Sequence, residues 1–223
     1  MNLYNTYIIY KSMSGAKIYL ARHGQTFFNL EDRLGGDSEL TPKGFEHAEK
    51  VSRCLEGVYL DAIYSSTLRR SIQTAEVLHR FHPKISLIQK PELSEISSGD
   101  MDSMTYAEFE RQFPDLFKAR QNDKYHWSFP NGESYELALN RVIPFLDTLK
   151  SEGRNTAIVG HQGMNRTILG YLLDLPRTEV PYLVTPNDVI FVIEPDDKRI
   201  VHIKDGKIFE GYIVDKHTKK ADV

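Results

Sequence analysis

Short apolar runs alternate with amphipathic stretches along most of this chain. Lys17 to Ala21, Asp61 to Tyr64, Ile85 to Ile88, Thr156 to Gly160 and Val189 to Ile193 are compact and aliphatic, which predicts strands. Phe45, Ala48, Val51 and Leu55 recur at helical spacing behind Thr41-Pro42, a threonine cap with proline at the first helical position, and Gly57 ends that helix. Leu68, Ile72, Ala75 and Leu78 predict a second helix, capped by Ser65 or Ser66. Tyr135, Leu139, Val142, Leu146 and Leu149 mark a long helix from Glu133 to Ser151, kinked at Pro144. Arg166 to Leu173 is helical. Ile200 to Lys204 and Lys207 to Tyr212 flank Asp205-Gly206, a hairpin signal. Strands separated by helices predict an α/β fold: a mostly parallel central sheet with helices on both faces and antiparallel strands at its end.

The middle breaks the rhythm. From Leu93 to Asn131 there is no strand-like run. Thr105 with Glu108 forms a capping-box pattern for a short helix that stops before Pro114. Lys124 to Gly132 is aromatic and turn-rich. Residues 93–132 are expected to be a helical lid insertion within one domain spanning 16–215. Residues 1–15 form an N-terminal extension and 216–223 a tail.

Composition narrows the function classes. A chain of 223 residues with net charge −3 and pI near 6.2 lacks the basic field of a nucleic-acid binder. No apolar run is long enough to span a membrane, and the start lacks a signal-peptide pattern. The single cysteine, Cys54, forms no internal disulfide and falls on an apolar helix face. Cytoplasm is the expected location, and a homodimer is compatible with the sequence.

Candidate chemistry sits at two strand ends. Leu20-Ala21-Arg22-His23-Gly24 and Ile158-Val159-Gly160-His161 each run from an apolar strand into a histidine. Two imidazoles at one sheet edge, one beside an arginine, suit phosphate chemistry through nitrogen. His23 is the candidate nucleophile. Gly24 would let the backbone approach phosphoryl oxygens, Arg22 and Arg70 would supply paired donors, and His161 would be a further donor. Other phosphatase chemistries lack their motifs. Cys54 has Leu60, not arginine, six residues on, and Asp100-Met101-Asp102 follows no apolar strand. No Walker A loop, zinc motif or nucleophile elbow occurs, so neither metal nor cofactor is expected.

With these residues the chain resembles the histidine phosphatase (phosphoglycerate mutase-like) superfamily. The resemblance is carried by Arg22-His23-Gly24, by Ser65-Ser66-Thr67-Leu68-Arg69-Arg70 with Gln73-Thr74-Ala75, and by Gly160-His161. It implies that His23 is phosphorylated and that Arg22, Arg70 and His161 complete the phosphate pocket. Glu95 matches the family's proton donor, a role that needs it protonated when substrate binds. Thr26 and Asn29 match positions near the phosphate.

Arg33-Leu34-Gly35-Gly36-Asp37-Ser38, Met104-Thr105-Tyr106 and Pro130-Asn131-Gly132-Glu133-Ser134-Tyr135 are similar to the fructose-2,6-bisphosphatase branch. That similarity implies sugar and second-phosphate contacts at Gly35, Tyr106, Arg120, Lys124, Tyr135, Gln162 and Arg166. Arg120 and Lys124 would face one anion together if their stretch is helical. Gln25 departs from the acidic residue often found after the glycine. The implied partner is a small phosphorylated metabolite, a sugar bisphosphate such as fructose 2,6-bisphosphate. The alternatives are a phosphoglycerate mutase, a phosphatase for another phosphomonoester or a phosphoprotein, and a non-catalytic phosphate-binding module.

Overall fold

Strand alternation builds the molecule in layers. The computed structural model describes residues 15–215, so almost all of the N-terminal extension and the whole tail lie outside the described residues. One seven-stranded sheet has the order β3-β2-β4-β1-β5-β6-β7. Its strands are β1 Ile18–Arg22, β2 Ala62–Ser65, β3 Leu87–Gln89, β4 Thr156–Gly160, β5 Val189–Glu194, β6 Arg199–Lys204 and β7 Lys207–Glu210.

Successive residues of the central strands face opposite layers. Leu20, Tyr64, Ile158 and Phe191 pack with α6 (Tyr135–Glu152) and α7 (Gln162–Leu172). Tyr19, Ile63, Val159 and Val192 pack with α2 (Pro42–Cys54) and α3 (Arg69–Phe81). Helices therefore cover both faces. The sheet is less parallel than expected. β3, β2, β4 and β1 run parallel, whereas β5, β6 and β7 are antiparallel, so the pairings divide evenly between the two kinds. The antiparallel share comes from β5, which pairs antiparallel with both β1 and β6, and from the hairpin that joins β6 to β7. Asp205 and Gly206 both have positive φ, at 48° and 71°, and fold β7 straight back on β6.

The register at the sheet centre positions the site. β1 and β4 are parallel neighbours with Arg22 opposite Gly160. The residues that follow, His23 and His161, emerge side by side, and His23 N–H donates to the Gly160 carbonyl at 3.0 Å. α2 follows β1 onto one face and α7 follows β4 onto the other. Helices that diverge after adjacent strands open a crevice at their carboxyl ends, where open α/β sheets bind ligands.

Local signals explain most boundaries. Thr41 caps α2 by accepting from Gly44 N–H, with Pro42 in the first turn. The helix ends at Cys54, before Gly57. α6 continues through Pro144 to Glu152, and Gly153 terminates it with φ 59°. α3 starts later than expected. Its cap position is Leu68, without a side-chain cap, while Ser66 Oγ instead accepts from Leu68 N–H. No helix among the described residues is long and apolar enough to cross a membrane.

The 91–132 segment holds two 3₁₀ turns, Pro91–Leu93 and Gly99–Met101, then α4 (Tyr106–Gln112) and α5 (Pro114–Asn122). The capping box at Thr105 and Glu108 forms as expected. α5 answers the open question of whether the stretch before Lys124 is helical, with Pro114 at its start and Asp115 in its first turn as N-terminal signals. Phe109 centres an aromatic cluster with Phe113, Phe117, Trp127 and Phe129. This cluster is anchored to the loop between α1 (Phe27–Leu30) and α2. Leu34 N–H donates to Met104 O at 2.8 Å, Ser103 N–H to Leu34 O at 2.8 Å, and Tyr106 N–H to Asp32 O at 3.0 Å.

Gly24 and Gly44 let α2 press its first turn onto the loop carrying His23. A Cβ on Gly24 would lie 2.1 Å from Gly44 O, and one on Gly44 2.1 Å from Gln25 O. Both obstacles are backbone and cannot rotate away. Gly44→Ala should therefore destabilise the fold by about 1–3 kcal/mol, read as a lower urea midpoint with an unchanged slope.

Candidate active site

A cleft of about 500 Å³ opens at the carboxyl edge of β1 and β4. His23, 3% exposed, lies at its floor, and fully buried His161 packs behind it, their ring centroids 5.1 Å apart. Arg70, in the first turn of α3, reaches between them. Its Nε donates to His23 Nε2 at 3.1 Å and to His161 Nδ1 at 3.2 Å. A guanidinium can only donate, so both of those ring nitrogens present lone pairs. His23 therefore carries its proton on Nδ1, which donates to Gly24 O at 2.7 Å. His161 carries its proton on Nε2, which donates to Ser66 Oγ at 2.7 Å. Arg70 Nη1 donates to Gly36 O at 2.6 Å, which fixes the guanidinium at its far end.

Electrostatics favour neutral imidazoles here. Burial, then Arg70 and Arg22, holds His23 well below its usual range. Burial, then Arg70, His23, Arg22 and Arg141, does the same to His161. Arg22 is itself held down to about 10, chiefly by burial, and its buried Nε has no hydrogen-bond partner. A buried, incompletely paired guanidinium facing a cleft is suited to an anion.

Glu95 reaches the same cleft by capping α7. Its Oε1 accepts from Ile96 and Met164 N–H, each at 2.9 Å, and its Oε2 from Gly163 N–H at 3.0 Å. Glu95 is half-buried and faced by three backbone donors.

The outer cleft gathers the other expected residues. Thr26 caps α1 in a reciprocal box with Asn29, and both line the opening. Gly35 lies at φ 56°, where a Cβ would meet Asp102 Oδ1. Buried Arg120 stacks over Tyr106 and Phe129, at 5.8 and 5.5 Å. Arg166 donates from Nη1 to Tyr135 Oη at 3.1 Å and from Nε to Leu183 O at 2.5 Å. Gln162 lines the inner wall at the start of α7. Lys124 lies beyond the end of α5 at Asn122, so it reaches Arg120 through a loop rather than along a helix. Burial, then Arg120 and Arg166, lowers Lys124 to about 8, with Asp215 opposing.

Gly24 and His161 are the expected site residues that do not line the cleft; His161 lies behind it, reached through Arg70. The missing side chain of Gly24 serves packing against α2. Two polar residues at the site were not singled out from sequence. Asn187 lines the cleft and donates to His23 O at 2.6 Å. Ser66 holds His161. Asn187 follows Pro186 just before β5, where the sequence shows no strand-end histidine or motif. Gln25 also lines the cleft, and its Oε1 accepts from the Thr41 hydroxyl at 3.0 Å.

A family model described as the histidine phosphatase superfamily (branch 1) matches residues 18–205. Fructose-2,6-bisphosphatase from Saccharomyces cerevisiae is 35% identical over 181 residues, covering 80% of this chain and 39% of the relative. A 6-phosphofructo-2-kinase/fructose-2,6-bisphosphatase from Aquarana catesbeiana is 34% identical over 191 residues, covering 85% and 39%. The chain thus spans about two fifths of the length of these curated relatives. Among solved structures, Bacillus stearothermophilus YhfR superposes with a TM-score of 0.73 at 28% identity, covering 88% of this chain and 96% of that one. A mycobacterial glucosyl-3-phosphoglycerate phosphatase gives 0.74 at 25% identity, covering 89% and 98%.

The hydrogen-bond network makes a spectroscopic prediction. In ¹⁵N-labelled protein at neutral pH, His23 should appear as the Nδ1–H tautomer and His161 as the Nε2–H tautomer. Both lowered histidines bind fewer protons folded than unfolded, so stability is full above about pH 6.5 and declines as pH falls below it. Urea midpoints measured from about pH 7 down to about pH 5 should fall, and less so in His161→Gln.

Proposed function

The chain belongs to the histidine phosphatase superfamily, and from that premise we propose that it hydrolyses a sugar bisphosphate, fructose 2,6-bisphosphate being the first candidate, through a phosphohistidine. The observation that carries this reading is one cleft with two separate cationic groups. Arg22 and Arg70 surround the histidines, and Arg120, Lys124 and Arg166 stand further out. A bisphosphate suits that pair better than a monoester does. The similarity to fructose-2,6-bisphosphatases supports the choice of sugar. The 93–132 segment then acts as the lid of the outer pocket, presenting Tyr106, Arg120 and Lys124 to the substrate.

In this reading the lone pair on His23 Nε2 attacks phosphorus. The phosphorus–ester oxygen bond breaks, and the leaving oxygen takes a proton from Glu95. Arg22, Arg70 and His161 hold the equatorial oxygens, so charge is stabilised where it accumulates. A water deprotonated by Glu95 then cleaves the phosphohistidine, restoring neutral His23 and releasing phosphate. For the first half, Glu95 must hold a proton although three N–H groups already face it. Oε2, which accepts from Gly163 N–H alone, keeps a lone pair where that proton would sit.

Incubation with fructose 2,6-bisphosphate in the presence of chelator should release phosphate and leave an acid-labile adduct on His23. His23→Ala should abolish both. Turnover with no trapped adduct at any time would overturn the phosphohistidine, and turnover of other monoesters alone would overturn the substrate. Lys124→Met should raise KM for the bisphosphate about ten- to a hundredfold while leaving p-nitrophenyl phosphate nearly unchanged. Because Lys124 loses its charge as pH rises through about 8, the bisphosphate KM should climb above that pH in the native protein. Lys124→Arg should flatten the climb.

A further inference from the structure

Glu95 reaches the cleft from a turn that cannot hold itself. Residues 94–98 lie between two 3₁₀ turns and join neither the sheet nor a helix. Backbone of that kind must find its donors and acceptors elsewhere. Arg141, in the second turn of α6, supplies the donors. Its Nη1 donates to Glu92 O at 2.9 Å and to Ser94 O at 3.3 Å, and its Nη2 donates to Ser94 O at 3.3 Å. The same guanidinium grips Glu133 with its other edge, Nε donating to Oε1 at 2.8 Å and Nη2 to Oε2 at 2.7 Å.

Glu133 passes the constraint on. Its Oε2 also accepts from Ser97 N–H at 3.0 Å, and its own N–H donates to Ser97 O at 2.9 Å. Burial works against its charge, but the hydrogen bonds from Arg141 and Ser97 and the charge of the arginine outweigh burial and hold the carboxyl below its usual range. The two side chains are 27% and 21% exposed, so the pair is shielded from the solvent that weakens surface ion pairs. The backbone is thereby fastened one residue before Glu95 and two residues after it. The Glu95 carboxyl itself is held by Gly163 and Met164 N–H on α7. A planar fork of donors is what this task needs, because one edge meets a carboxylate while the other meets carbonyls.

We propose that Arg141, through Glu133, is a positioning residue for the proton transfers of Glu95, fixing the 92–97 turn so that the carboxyl meets the leaving oxygen. This rests on the phosphohistidine reading above. In the step concerned His23 Nε2 forms its bond to phosphorus, the ester bond breaks, and the Glu95 proton passes to the departing oxygen, leaving carboxylate. Arg141 does not line the cleft and touches no reacting atom. Drift of the turn by about 1 Å is enough to slow such a transfer about a hundredfold. Arg22 and Arg70 come from β1 and α3 and stay where they are. Loss of Arg141 should therefore harm each ester in proportion to how much its leaving group needs a proton.

The test is rapid-quench measurement of phosphohistidine formation from phenyl phosphate and p-nitrophenyl phosphate, which are similar in shape but differ in leaving-group basicity. In the native protein the two rates should lie close together. In Arg141→Ala formation from phenyl phosphate should slow about ten- to a hundredfold, and formation from p-nitrophenyl phosphate by less than about threefold. Glu95→Gln should show the same selectivity at larger size. Guanidinium added to Arg141→Ala should restore the phenyl phosphate rate, whereas ammonium should not. Equal slowing of both esters in Arg141→Ala, or no slowing of either, would overturn the positioning role. Absence of selectivity in Glu95→Gln would remove Glu95 as proton donor, and this proposal with it, while leaving the phosphohistidine. No adduct from either ester in the native protein would overturn the phosphohistidine reading itself. Glu133→Gln keeps the shape of the pair and should give the same selectivity at smaller size, which decides the matter even if Arg141→Ala does not fold.

Discussion

A single N–H organises this site. The Nε hydrogen of Arg70 is shared by two imidazoles that arrive on neighbouring parallel strands. Because the arginine can only donate, each ring must turn a lone pair inward and find an acceptor for its other nitrogen elsewhere. Gly24 O serves His23 and Ser66 Oγ serves His161. The lone-pair nitrogen of His23 is thereby defined before any ligand arrives, since the tautomer of His23 is set by a backbone carbonyl one residue away. Moving Arg70 by one residue along α3 would turn its side chain roughly 100° around the helix and leave both rings without this constraint.

The same arrangement is unfavourable on its own terms. Arg22 and Arg70 are desolvated, and Arg120 is buried beside aromatic rings. The chain is net acidic, but most of its ion pairs lie on the exterior, such as Lys43 with Glu46 and Lys198 with Asp174. Glu95 is the carboxylate nearest to balancing the inner arginines, and Asp37 and Asp102 assist Arg70 from its far side. Uncompensated buried cations destabilise a fold. They persist where the missing charge is supplied by a ligand, which is why local rules fail most often at functional sites. The neighbouring Gly24–Gly44 contact shows the converse: an uncharged, tight approach of backbone to backbone that holds the loop in place.

Much of this was legible in the residues. The strand-histidine pattern works because a strand's end and its register are both set by local apolar runs, so His23 and His161 could be matched without coordinates. Arg70 was legible only through its motif, because its reach depends on where α3 begins, and the cap at Leu68 does not follow the serine rule. The parallel share of the sheet was overestimated because the Asp205-Gly206 turn fixes only β6 and β7, while β5 joins β1 antiparallel through long-range pairing. Ser66 and Asn187 act through contacts 95 and 164 residues away, which no local pattern encodes. Lys124 lines the cleft that the family resemblance implied, but not through the helical spacing that would have supported it. Helical spacing would have aligned it with Arg120, yet the helix stops at Asn122 and the loop brings it back.

How the two cationic groups are held at a fixed separation follows from the loop at 32–36. Its backbone pairs with Ser103, Met104 and Tyr106 on one side, and Gly36 O accepts from Arg70 on the other. Gly36 N–H donates to Asp102 Oδ1 at 2.7 Å, so a single peptide region is fastened both to the segment carrying Arg120 and to the arginine between the histidines. Asp32, Gly35, Gly36 and Ser103 all have positive φ, and this left-handed backbone is held by hydrogen bonds from Tyr106 N–H to Asp32 O, from Gly36 N–H to Asp102 Oδ1 and from Ser103 N–H to Leu34 O. Strain of that kind is tolerated where geometry must be held. The outer pocket is therefore not a loose flap added to a phosphatase core. It is tied through backbone to the guanidinium that sets the tautomers of both histidines, so the placement of the outer pocket relative to those rings is a property of the fold rather than of side-chain rotamers.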